Sequence, residues 1–78
     1  MNWANIKIPE GSKLFRIHRF SYMSKGINYV FEINEVSDNS FIGYGEQATD
    51  SNSVLETVNG DTIEACLNGL IANVEKKS

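Results

Sequence analysis

The chain has 78 residues, 41% of them hydrophobic and 22% charged, with a formal net charge of −3. That length allows one domain, and a domain of this size buries only roughly 60% of its unfolded surface. The acidic balance argues against a nonspecific nucleic-acid or membrane-surface binder, which needs a basic excess. The single Cys and single His leave no disulfide framework and no thiolate zinc cluster, so no metal or cofactor is expected.

No stretch approaches the roughly 18 apolar residues of a membrane span. The first ten residues lack the basic-then-apolar order of a signal peptide, and the expected location is the cytoplasm. Residues 1–12 read as an N-terminal arm carrying Trp3, Ile6 and Ile8 and closed by Pro9-Glu10-Gly11-Ser12, a turn sequence. Trp3 is expected to pack over the core or an edge, or else to anchor a partner.

Residues 13–58 read as an antiparallel sheet. The first strand is expected over 14–23, where Phe15 and Ile17 alternate with Arg16 and His18. The alternation then slips at Arg19, Phe20 and Tyr22, and a bulge near 18–20 would absorb it. Ser24-Lys25-Gly26 reads as a hairpin turn. The second strand, 27–36, is the clearest: Ile27, Tyr29, Phe31 and Ile33 share one face, and Asn28, Glu32 and Asn34 the other, with Val30 among them. Ser37-Asp38-Asn39-Ser40 is turn chemistry.

The third strand, 41–47, carries Gly43 and Gly45 two apart on one face, which suggests a close neighbouring element. Residues 48–53 read as a loop and 53–58 as a fourth strand ending at Asn59-Gly60. Asp61 then opens a helix over 61–76, as the cap of a capping box with Glu64. Ile63, Cys66, Leu67, Leu70, Ile71 and Val74 fall on one helical stripe. The expected fold is a two-layer α+β sandwich in the order β-β-β-β-α, an antiparallel sheet of four strands, or three, with one C-terminal helix on one face.

Little here points to catalysis. His18 has no carboxylate close in sequence to orient it, although Glu32 is expected opposite on the next strand. Cys66 lies in the apolar stripe and reads as a small core side chain. The carboxylates Glu32, Glu35, Asp38, Glu46 and Asp50 are spread over strands and turns, and their spacing selects no pair. Lys13, Arg16, Arg19 and Lys25, with Tyr22, make the one basic cluster. It is small for tight RNA binding at physiological salt, and nucleic acid is not expected as the main ligand.

The segment from Tyr29 to Lys77 resembles the HicB antitoxin family. The strand Y-V-F-E-I-N-E and the strand F-I-G-Y-G precede Gly60-Asp61-Thr62-Ile63-Glu64-Ala65-Cys66-Leu67, which matches the family's helix-opening phrase. Residues 48–55 replace the family's usual connection, and the first strand stands before the helix where the family usually places one after it. The resemblance implies a sheet-plus-helix layout and an activity of binding and blocking a small toxin that acts on RNA.

The function expected is therefore that of a small non-enzymatic protein-interaction module that inhibits or sequesters another protein. The alternatives are a phage-encoded inhibitor of a host defence nuclease, of the anti-CRISPR type, and a small RNA-binding domain. The expected binding residues are Arg16, His18, Arg19, Phe20, Tyr22, Val30 and Glu32, on the basic first strand and the uncovered sheet face. Leu14, Phe20, Tyr22 and Val30 on that face, with an unpaired sheet edge, suggest a two-fold homodimer.

Overall fold

The computed structural model describes residues 3–77. The side chain of Trp3, and so the packing expected of it, lies outside the described residues, as does Ser78. After a single 3-10 turn at Trp3–Asn5, the arm runs to a turn in which Ser12 N–H donates to the Pro9 carbonyl at 3.0 Å. Gly11 supplies the positive φ of 85° that this turn needs at its third position.

Five strands and one helix follow: β1 (Arg16–Ser24), β2 (Ile27–Ser37), β3 (Ser40–Gln47), β4 (Asp50–Val54), β5 (Val58–Gly60) and α1 (Ile63–Lys77). The sheet is antiparallel, in the order β1-β2-β3-β4, with β5 also paired to β3. This is the expected α+β layout of an antiparallel sheet with a C-terminal helix.

The β1–β2 hairpin closes through Lys25 and Gly26, both at positive φ, 52° and 80°, between the paired residues Ser24 and Ile27. Two left-handed residues in a row match the right-handed twist of the flanking strands. From there β1 and β2 stay in register without interruption as far as Arg16↔Glu35. The bulge expected near His18 to Phe20 is absent. The irregularity lies instead at the far end of β2, where the register shifts between Glu35 and Ser37 beside left-handed Asn39.

The segment that reads as one strand over 53–58 is two. Asp50–Val54, part of which is expected as loop, pairs with the end of β3. Leu55 N–H donates to the Gly45 carbonyl at 2.8 Å, and its side chain is buried. A Cβ on Gly45 would lie 2.7 Å from Leu55 Cδ1 and 3.0 Å from Phe31 Cδ1. The missing side chain is thus the space that Leu55 fills, and turning inward there interrupts the strand. The chain rejoins β3 as β5, with Val58 opposite Gly43.

The helix starts one residue later than expected at its cap. Ala65 N–H donates to Thr62 Oγ1 at 3.0 Å, so Thr62, not Asp61, is the N-cap. The stripe read from its spacing forms the core: Cys66, Leu70 and Val74 are buried against Tyr29, Phe31, Ile33 and Leu55, with Ile63, Leu67 and Ile71 partly buried beside them. Ile27, expected in that layer, stays 40% exposed at the hairpin end. The helix packs mainly on β3 and β5, and less on β2. Gly43 permits this approach, since a Cβ there would meet Leu70 Cδ1 at 3.1 Å.

Candidate functional site

Unbroken β1–β2 pairing decides which residues share a face. Residues directly opposite in an antiparallel ladder point to the same side of the sheet. His18, Phe20 and Tyr22 face Ile33, Phe31 and Tyr29, which belong to the core, so all three lie on the helix side, and Arg16 follows by alternation. Arg19 pairs with Glu32, and Val30 with Ser21, on the opposite, open face. The seven residues expected to form one binding surface are therefore divided between the two sides: Arg16, His18, Phe20 and Tyr22 on one, Arg19, Val30 and Glu32 on the other. The basic cluster is divided in the same way, because Arg16 and Arg19 stand on opposite faces.

On the helix side the polar groups of β1 are held by neighbours. His18 Nε2 lies 3.1 Å from Glu35 Oε1; Glu32, the partner expected for it, is on the other face. Tyr22 Oη donates to Glu75 Oε2 at 3.1 Å, and Ser24 Oγ donates to the same oxygen at 2.8 Å. The Tyr22 ring stacks on Phe31, with centroids 5.6 Å apart and planes inclined by 22°. The Glu75 carboxylate, as hydrogen-bond acceptor and then with partial desolvation and its charge, raises the Tyr22 pKa. These contacts tie the end of α1 to the β1–β2 hairpin and give His18 and Tyr22 structural partners.

Cys66 is buried, and burial, with a smaller contribution from the Asp61 charge, pushes its thiol pKa up. That is the reverse of what a thiolate nucleophile requires. Among the described residues, no group of three or more His, Cys, Asp or Glu side chains is placed to hold a metal ion, and no helix is long and apolar enough to cross a membrane.

The open face carries exposed apolar side chains. Ile17 is 56% exposed, Met23 68%, Tyr44 43% and Val54 57%. All four fall on this face through the pairs Ile17↔Asn34, Met23↔Asn28, Glu32↔Tyr44 and Glu46↔Val54. None is among the expected binding residues; the signal for the first two is the simple alternation of β1 carried through without a bulge.

A shallow depression of 340 Å³ sits in this face, lined by Val30, Tyr44 and Val54 together with Glu32, Glu46 and Thr57. Its floor is apolar, and two carboxylates stand on it. Arg19 Nη2 donates to Glu32 Oε2 at 2.9 Å, an exposed ion pair worth about 0.2–1 kcal/mol and easily exchanged for another cation. Ser21 Oγ donates to Asn28 Oδ1 at 2.7 Å beside it. Apolar floor and acidic wall together suit an aliphatic or aromatic side chain with a neighbouring Lys or Arg. No protein-family model, curated protein or solved structure matches the chain.

Proposed function

We propose that the protein is a non-enzymatic interaction module that binds and blocks a partner protein through the open face of its sheet. The observation that carries this reading is the pair of exposed apolar side chains Tyr44 and Val54, which with Val30 line the depression walled by Glu32 and Glu46, on a face that also exposes Ile17 and Met23 along β1. A small monomer rarely leaves such a surface uncovered unless it is used. The partner surface that complements it is apolar with a basic rim. The HicB resemblance names the class of partner, a small toxin that acts on RNA, and nucleic-acid-cleaving proteins commonly carry basic surfaces because they bind phosphate.

The direct test is affinity capture from the native host with the wild-type chain and with Tyr44→Glu, which places a charge beside the acidic wall without touching the core. A specific partner retained by the wild type, lost by the variant, and inhibited in its own activity by the wild type supports the reading. A partner retained equally by both overturns the assignment of this face.

A further inference from the structure

The edge of β1 is nine residues long, and among the described residues no strand lies beyond it in the sheet order. It has no proline, no bulge and an unbroken register with β2, so none of those devices blunts it against strand addition. We propose that this edge pairs with the same edge of a second copy, antiparallel about a two-fold axis at Phe20, joining two sheets into one. The inference rests on the edge and not on the partner reading above.

The backbone sets which atoms are available. The Asn28 carbonyl accepts from Ala48 N–H across the β2–β3 side, so even-numbered residues of β2 bond toward β3 and odd-numbered ones toward β1. Tyr29 stands opposite Tyr22, so the even residues of β1 bond inward. Ile17, Arg19, Ser21 and Met23 then turn their N–H and C=O groups outward along the free edge.

The side chains select the register. Centred on Phe20, the pairs across the axis are Ile17 with Met23, His18 with Tyr22, Arg19 with Ser21, and Phe20 with itself. The strand is used along its full length, and the exposed Ile17, Phe20 and Met23 all acquire apolar partners. Centring on Arg19 would set two guanidinium groups opposite each other, which is destabilising. Centring on Ser21 would set Met23 against Arg19 and leave Ile17 without an opposite residue in the strand. The helix lies mainly over β3, β5 and β2 and reaches β1 through Glu75, which accepts from Tyr22 and Ser24 on the inner face of the strand. In this register the ladder gains up to about eight backbone hydrogen bonds, and the two open faces become one continuous surface.

The test uses the purified chain alone. Sedimentation to about 100 µM reads the dimer by mass action. Ser21→Pro removes an outward N–H while leaving the β1–β2 bonds in place, a position where an edge strand tolerates proline. Met23→Lys sets an ammonium opposite Ile17 and next to Arg19 of the other copy. The register is read by Phe20→Cys: at a non-hydrogen-bonded pair the two Cα atoms stand about 4.5 Å apart, within disulfide range, whereas native Cys66 is buried and does not cross-link. The expected result is a wild-type dimer, weakened at least about tenfold by Ser21→Pro and Met23→Lys, and rapid disulfide dimer formation by Phe20→Cys on oxidation. A wild-type monomer throughout the concentration range overturns the proposal. So does a dimer unaffected by Met23→Lys, or failure of the Phe20→Cys variant to cross-link in a folded dimer; Met23→Lys decides the matter should Ser21→Pro fail to fold.

Discussion

Gly69 tests the packing of the helix more sharply than any large side chain, because two effects of opposite sign meet there. In an isolated helix Gly69→Ala would stabilise by about 1 kcal/mol. Here a Cβ at position 69 would lie 2.6 Å from Val58 Cγ1, 3.2 Å from Cγ2 and 3.4 Å from Cβ. Val58 is β-branched and stiff at χ1, and its strand is held to β3 through Gly43, so it cannot swing aside as a lysine tip would. Overpacking of this kind costs about 1–3 kcal/mol. The overlap therefore wins, and Gly69→Ala is expected to destabilise by about 0–2 kcal/mol. In a Val58→Ala background the two γ-carbons are gone, only the Cβ contact remains, and the same substitution is expected to stabilise by up to about 1 kcal/mol. Equilibrium urea unfolding of the four proteins measures the coupling, expected at about 1–3 kcal/mol. Stabilisation by Gly69→Ala in the wild-type background, with no coupling to Val58, would refute the close approach of helix and β5.

Leu70 is fully buried under Gly43, so Leu70→Ala is expected to cost about 2–5 kcal/mol, a large part of the stability of so small a domain, and chemical denaturation measures it. Cys66, buried and with its thiol pKa raised, should react with an aromatic disulfide reagent only on unfolding; fast labelling of the native protein would contradict its place in the core. The Tyr22 pKa is raised by Glu75, so the folded state favours the neutral phenol. That contribution to stability is present below the unfolded tyrosine pKa of about 10 and is lost as pH rises through the higher folded value. Thermal melts across this alkaline range should show the loss in the wild type and a smaller one in Tyr22→Phe.

Residues whose pattern is imposed by burial are legible in the chain. The helix stripe from Ile63 to Val74 and the alternation of Tyr29, Phe31 and Ile33 both face the one core, so their periods follow it directly. The glycines at 43 and 45 point to close packing for the same reason. β1 misleads because neither of its faces is deeply covered: Ile17 on the open face is 56% exposed and Phe20 on the helix side 37%, so the apolar phase there is not set by the core. A bulge repairs on paper a slip that the structure carries without one. Taking the phase of Phe15 and Ile17 as the core phase places Phe20 and Tyr22 on the open face, whereas the pairing with Phe31 and Tyr29 sets them on the helix side. The break between β4 and β5 depends on Leu55 filling the space at Gly45, two residues ten apart, and local strand propensity is blind to such a contact. The cap moves from Asp61 to Thr62 because both residue types cap well, and only the Ala65 hydrogen bond distinguishes them.

The central claim, that the open face of the sheet receives a partner, is tested most directly by side-chain footprinting of the free and partner-bound protein. Tyr44, exposed at 43% in the free chain and set over the acidic depression, should lose most of its reactivity in the complex, together with Val54. His18 and Tyr22 on the helix side should keep theirs. Protection of the helix-side pair with Tyr44 left reactive would contradict the account.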